Sequence, residues 1–123
     1  MNYEEMNCHD VNMAVTCIEN NCQGWSVTAS NTGFYHCGFD GGGFFEVDCV
    51  DYCNNPSYSW SIILDNNIEI TPSFNGSWTA SCIKTYTFEE EPIYDNMLSH
   101  SDESPLKAAM ICFLKMHEAG VIK

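Results

Sequence analysis

The chain has 123 residues, enough for one hydrophobic core and too few for two ordinary domains, and its apolar fraction of 45% is that of a globular protein. Its charge is unusual, because seventeen acidic residues face four lysines and no arginine, which gives a formal net charge of −13. Residues 1–83 carry ten acids and no base, and such a surface repels nucleic acid and anionic membranes. We therefore expect no direct nucleic-acid or membrane partner.

The eight cysteines raise the questions of disulfides and zinc, and the sequence argues against both. The N-terminal segment is acidic and has no apolar run, so no signal peptide is predicted and the thiols are expected to stay reduced. Cys17 and Cys22, and likewise Cys49 and Cys53, lie close in sequence, but no C-x-x-C pair occurs. We expect no metal and no cofactor, and no stretch is long and apolar enough to span a membrane.

The first half of the chain predicts one helix followed by short strands. Apolar residues recur at helical spacing over residues 7–20, where Asn7 can cap the first turn. Over residues 23–50, apolar residues alternate with polar ones among several glycines, which predicts short strands joined by flexible turns. Residues 41–43, three consecutive glycines, lack the Lys and Ser or Thr that follow in a phosphate-binding loop, so we interpret them as a mobile loop.

The second half begins with a capped helix and a hairpin. Asn55 and Pro56 predict a helix start, and the helix that follows ends at residues 66–67. Residues 75–76, an Asn-Gly pair between apolar runs, predict a hairpin whose return strand begins at Trp78 and continues toward Phe88.

An acidic, polar connection over residues 89–104 leads to the last helix. Ser104 and Pro105 open that helix, and Gly120 ends it. Its predicted buried stripe consists of Leu106, Ala109, Met110, Phe113, Leu114 and His117. The element order predicts an α+β fold, a single domain over residues 1–123 in which about three helices cover a small antiparallel sheet.

Two segments carry a resemblance to a known family. Residues 52–64 read YCNNPSYSWSIIL and residues 105–116 read PLKAAMICFLKM, with Trp78-Thr79-Ala80 between them. This pattern resembles the NinX-like accessory proteins of tailed phages, in which an NNP..AWPII helix precedes a hairpin and a PLRAAMIVFL helix closes the chain. Ser61 stands where the family usually has Pro, and Lys107 where it usually has Arg. Residues 20–50 look like an insertion peculiar to this member.

The resemblance implies a phage accessory protein in the cytoplasm of the infected bacterial host, without defining a reaction. No nucleophile signature occurs in the sequence, so we expect a protein that is not an enzyme.

The candidate binding site consists of polar residues at two predicted helix starts, with two tryptophans that could supply stacking surfaces. Helix N-termini present free amides that suit an anion, although capping and core packing explain the same residues. Lys107 favours the anion-binding interpretation over capping. A cation in the first turn of a helix opposes the helix dipole, and a residue that is locally unfavourable invites a functional explanation. Trp60 and Trp78 lie on apolar faces and are expected to be buried. The candidate ligand-binding residues are Asn54, Asn55, Tyr58, Trp60, Trp78, Ser104 and Lys107.

Three functional hypotheses follow. In the first, the protein binds and sequesters a small nucleotide-type immune signal for the benefit of the phage. In the second, it is an acidic mimic of nucleic acid that occupies the basic groove of a host defence protein. In the third, it is a small hydrolase. The sequence leaves the ligand, the host partner and self-association open.

Overall fold

Two compact units make up the chain, residues 1–51 and residues 52–123, and each contains a three-stranded antiparallel sheet. The structure is a computed structural model that describes residues 2–38, 44–82 and 98–120. Within those ranges lie three α-helices and six strands, so the predicted α+β class is confirmed, with two small sheets instead of one. The single domain and the insertion over residues 20–50 stay predictions.

The first unit opens with a short 3-10 turn, Tyr3–Glu5, and helix α1, Cys8–Glu19. Asn7 caps α1 as predicted, because its Oδ1 accepts the backbone N–H of Asp10 at 2.8 Å. The Asp10 carboxylate accepts the Asn7 N–H in return at 3.4 Å, which completes a capping box. The predicted helix and its predicted Asn7 cap are therefore confirmed.

Three strands follow α1 and form the first sheet: β1, Ser26–Val27; β2, Gly33–Cys37; and β3, Phe44–Asp48. They pair antiparallel in the order β1-β2-β3, which confirms the predicted short strands. Phe34 pairs with Val47 on the sheet face that packs into the core of this unit. That core contains Met13, Cys22 and Phe34, with Cys17, Trp25, Val47 and Cys49 packed against it. The predicted loop at residues 41–43 lies outside the described residues.

Thr16 joins helix α1 to the segment after β3. Its side chain is completely buried, and its Oγ1 accepts the backbone N–H of Val50 at 3.0 Å. The neighbouring Asp51 carboxylate accepts a hydrogen bond from the Asn12 side chain at 2.9 Å. Two side chains of one helix therefore form hydrogen bonds with polar groups of Val50 and Asp51, which lie beyond the end of β3.

The second unit begins with helix α2, Pro56–Asp65. Asn55 caps it through Oδ1, which accepts the Ser57 N–H at 3.1 Å, and Pro56 occupies the first helical position as predicted. The helix ends at Asn66, and Asn67 turns the chain with a φ of +52°.

The buried face of α2 differs from the expectation. Ser59, Ile62 and Ile63 are buried, whereas the Trp60 side chain is 56% exposed and Leu64 is equally exposed. Trp60 is therefore wrongly predicted as a core residue, because α2 turns the Ile62 and Ile63 side of the helix inward.

The predicted hairpin is confirmed and joins strands β4, Glu69–Pro72, and β5, Trp78–Cys82. The Ser73 N–H donates to the Ser77 carbonyl at 2.8 Å, and Gly76 supplies the positive φ of +82° that the turn needs. Ala80 and Cys82 are buried as their alternation suggests. Trp78 is exposed at the first residue of its strand, so its predicted burial is wrong. The continuation toward Phe88 lies outside the described residues.

A third strand of this sheet, β6, Leu98–Asp102, lies inside the segment predicted as a polar connection. That prediction is wrong for residues 98–102, and residues 89–97 lie outside the described residues. The strand is almost entirely polar, so its sequence gives no alternation of apolar residues. Its inward residue is His100, which is buried opposite Ala80.

Helix α3, Pro105–Glu118, packs against all three strands of the second sheet and against α2. Every residue from Ala108 to Leu114 is buried, so most of the circumference of the helix is covered. His117 is exposed and Leu106 only half-buried, so the predicted stripe is wrong at these two ends. The helix ends at Ala119, and Gly120 follows with the positive φ expected there.

None of the helices in the described ranges has the length and apolar character needed to cross a membrane.

Thr16→Val should destabilise the protein by about 1–3 kcal/mol, because the isosteric valine leaves the Val50 N–H without its acceptor. The control is Thr71→Val, an exposed threonine of β4, for which we expect a change within about 0.5 kcal/mol. Urea unfolding of both variants measures the difference. Equal stability of the two variants would contradict a structural role for the Thr16 hydroxyl.

Candidate functional site

The start of helix α3 contains a compact polar cluster centred on Asp102. The Lys107 ammonium lies 3.3 Å from Asp102 Oδ2, and Asp102 Oδ1 accepts the Ser104 N–H at 3.0 Å. Ser104 caps the helix through Oγ, which accepts the Lys107 N–H at 3.3 Å. Trp78 is the cross-strand partner of Asp102. Two of the predicted site residues therefore contact one carboxylate, and a third, Trp78, lies opposite it on the neighbouring strand.

Asp102 changes the interpretation of Lys107. A lysine in the first turn of a helix opposes the helix dipole, and a neighbouring carboxylate offsets that cost. The place predicted for a ligand's anionic group is thus next to the protein's own carboxylate. Sequence reasoning missed Asp102, although an acid two residues before the Ser104 cap is a detectable signal for a carboxylate at the helix start.

The start of α2 holds a second group of predicted site residues. The Asn55 side chain is engaged as the cap, and its backbone carbonyl accepts the Tyr58 N–H at 3.1 Å. The Tyr58 ring is exposed and meets the Tyr52 ring edge-on, with centroids 6.4 Å apart. Asn54 is exposed at the residue before the cap. Capping of the helix accounts for Asn55, while Asn54 and Tyr58 are exposed residues.

Trp60 lies in a third place, an open groove of about 570 Å³ between the end of α2 and strand β4. The groove is mainly apolar, with one carboxylate from Glu69. Its lining residues are Trp60, Ile63, Leu64, Asn67, Ile68, Glu69 and Ile70. The structure therefore distributes the seven predicted residues over two helix starts and this groove, and the assignment of a ligand to them stays a prediction.

Both lysines in the described part of the chain have partners within the second unit. Lys107 pairs with Asp102, and the Lys115 ammonium donates to the Ser99 carbonyl at 2.7 Å. The described portion of the first unit has no lysine or arginine at all. Its seven acids are all exposed, namely Glu4, Glu5, Asp10, Glu19, Glu46, Asp48 and Asp51. The first unit therefore presents carboxylates to solvent with no lysine or arginine of its own to neutralise them.

The eight cysteines are free thiols, and four of them are poor nucleophiles because of their surroundings. Burial raises the pKa of Cys17, and burial with the nearby Cys17 raises that of Cys22. Burial also raises the pKa of Cys49. Cys112 has a pKa of about 12, raised mainly by burial and then by the adjacent Cys82 thiol. In the described ranges, no three His, Cys, Asp or Glu side chains come together in a way that could hold a metal ion.

The fold and these surfaces define a small acidic α+β protein whose first unit has exposed carboxylates and no lysine or arginine. Residues 2–117 match the family described as "Bacteriophage P22, NinX", and the chain belongs to this family of phage proteins. The resemblance carried by residues 52–64 and 105–116 is thereby confirmed. No curated protein and no solved structure matches the chain.

Trp60→Ala should change the free energy of unfolding by about 1 kcal/mol or less, because the ring is largely in solvent. Ile63→Ala, three residues further along the same helix, removes a buried side chain and should cost about 2–5 kcal/mol. Thermal melts of the two variants make the comparison. A large loss of stability for Trp60→Ala would show that the ring packs more tightly than its exposure indicates.

Alkylation at neutral pH should modify Cys37 before Cys112. Cys37 is the exposed cysteine of β2, whereas Cys112 is buried and its pKa of about 12 leaves almost no thiolate below pH 9. Iodoacetamide labelling followed by peptide mass spectrometry gives the order, and Cys112 should react only after unfolding in denaturant. Rapid labelling of Cys112 in the native protein would contradict this assignment.

Proposed function

We propose that this phage protein acts without catalysis, in the cytoplasm of the infected host, by occupying the basic nucleic-acid-binding surface of a host defence protein. The observation that carries the proposal is the charge distribution. The first unit has eight acids and no lysine or arginine, and the seven described acids are all exposed. Such a surface attracts a basic protein at long range and orients it on approach.

The internal pairing of the lysines supports a basic partner over an anionic one. Lys107 and Lys115 both already have oxygen partners in the second unit. An anionic ligand at the start of α3 would have to compete with Asp102 for Lys107, and it would approach a chain with a net charge of −13. A basic protein faces neither cost.

The thiol chemistry supports a role without catalysis. Cysteine acts as a nucleophile through its thiolate, and burial raises the pKa of Cys17, Cys22, Cys49 and Cys112. Thiols with such raised pKa values suit packing in a core better than attack on a substrate.

The test is capture of host proteins on the immobilised protein, with duplex DNA as competitor. Nucleic-acid-binding proteins should be retained. Added DNA and high salt should each release them, because the carboxylates occupy the sites on those proteins that bind phosphates. Neutralising four first-unit acids should reduce capture about tenfold. This first-unit variant carries Glu5→Gln, Glu19→Gln, Glu46→Gln and Asp48→Asn.

A charge-matched control neutralises four exposed acids of the second unit and should lose much less. It carries Asp65→Asn, Glu69→Gln, Glu103→Gln and Glu118→Gln. Retained proteins that DNA cannot displace, or equal losses in the two variants, would contradict the proposal.

Sequestration of a small nucleotide-type ligand is the second candidate, favoured by the exposed Trp60 ring in its groove and by the exposed Trp78 beside Asp102. An aromatic ring at an open surface is a suitable platform for a base. In this candidate, the ligand's phosphate displaces Asp102 from Lys107.

Lys107→Ala separates the two candidates. It leaves the mostly buried Asp102 carboxylate without its cation while placing a strong helix former in the first turn, so stability should fall by about 1–3 kcal/mol with the protein still folded. Sequestration predicts a tenfold or greater loss of ligand retention, whereas mimicry predicts unchanged capture of basic proteins. Asp102→Asn is the complement, because it removes the carboxylate that competes for Lys107 and should strengthen retention of a phosphate-bearing ligand, while the asparagine Oδ1 can still accept the Ser104 N–H. Activity of both variants at the wild-type level would exclude the anion site.

A further inference from the structure

The outer face of the first sheet combines exposed aromatic rings with carboxylates. Residues opposite each other on paired strands share a face, and the face alternates along each strand. Phe34 and Val47 lie on the face that packs into the core. The other face of β2 and β3, here called the outer face, consists of Tyr35, Cys37, Phe44, Glu46 and Asp48.

Phe44 and Tyr35 form a stacked pair on the outer face, with ring centroids 5.8 Å apart and an angle of 24° between the planes. Phe44 is nevertheless 61% exposed, so one side of the stack is open to solvent. A large aromatic ring at an open surface keeps apolar area in contact with water. The fold gains no free energy of burial from that area. The exposed aromatic stack is a feature of this face that does not depend on the charge of the unit.

Glu46 and Asp48 follow Phe44 at every second residue, which places each about 7 Å from the next along one side of β3. Both carboxylates are exposed. The residue opposite Asp48 is Gly33, where a side chain would collide with the Val47 carbonyl oxygen, so no side chain lies directly opposite Asp48 on β2. The carboxylates therefore remain accessible beside the aromatic stack.

We propose that the outer face binds an arginine-bearing segment of the partner protein, with a guanidinium stacked on Phe44 and paired with Glu46 or Asp48. A guanidinium group matches both the aromatic rings and the carboxylates of this surface. It is planar and can stack on a ring, and its N–H donors can pair with a carboxylate. Lysine can pair with a carboxylate and approach a ring, but it lacks the planar group that stacks and the forked donors that bind a carboxylate through two hydrogen bonds. The inference rests on the proposed function. It identifies the part of the acidic surface that recognises a particular side chain, in addition to the long-range attraction of the whole surface for a basic protein.

The experiment compares binding of an arginine-rich peptide and a lysine-rich peptide of equal length and charge. The arginine peptide should bind several-fold more tightly to the wild-type protein. Phe44→Ala should weaken arginine-peptide binding about two- to fivefold and remove most of the preference over lysine. Phe45→Ala is the matched control, because Phe45 is the next residue of the same strand, is 52% exposed and lies on the opposite face.

Two further measurements locate the peptide. Glu46→Gln should weaken binding more than Glu5→Gln, an equal change of charge at another exposed site of the same unit. The bound arginine peptide should also slow alkylation of Cys37, which is the cross-strand partner of Phe44 on the outer face.

Equal binding of the two peptides, or equal effects of Phe44→Ala and Phe45→Ala, would overturn the outer face as the site and leave acidic mimicry intact. Captured host proteins that DNA fails to displace, together with a preserved arginine preference, would instead overturn the proposed function and keep the site. Thermal melts of each variant establish that the folded protein is being compared.

Discussion

The burial of helix α3 is the constraint on which the second unit depends. Its residues from Ala108 to Leu114 are all inaccessible, and the helix packs on three strands and on α2. A helix covered to this degree needs its free N-terminal amides and any nearby charge satisfied locally, because unpaired polar groups in poor solvent contact are costly. Ser104, Asp102 and Lys107 meet that need at one end of the helix. Residues that resemble a ligand site in the sequence therefore have a structural task first.

The first unit differs, since it carries acids but no lysine or arginine. Screening at physiological salt limits the mutual repulsion of exposed carboxylates separated by more than about 8 Å, so the unit can carry eight acids without unfolding. The cost that remains is small per residue and disappears when a basic surface covers the acids. An exposed acidic surface without lysine or arginine suits a protein that acts by binding a basic partner. The exposed stack of Tyr35 and Phe44 adds a directional element to that surface.

The differences between expectation and structure have identifiable physical causes. Strand β6 is nearly all polar, and it is held in the sheet by backbone pairing with β5 and by burial of one residue, His100. Such a strand has no periodic signal. Trp60 follows the helical pattern of its apolar neighbours, but a four-residue apolar cluster on a short helix does not indicate which side faces inward. Packing of Ile62 and Ile63 decides this and leaves Trp60 at the surface.

The sequence by itself indicated the family, through two separated segments, and it determined the local features: the Asn7 cap, the Asn55 and Ser104 caps with their prolines, and the glycine hairpin turn. These local features need no knowledge of the tertiary fold. Each depends on residues within a few positions of one another, so spacing is sufficient to predict it. Tertiary structure alone decided the addition of β6 to the second sheet, the partner of Lys107 and the face on which Phe44 stands. These depend on strand register and on contacts between segments distant in the chain, and a one-residue shift in register would exchange the two faces of a strand.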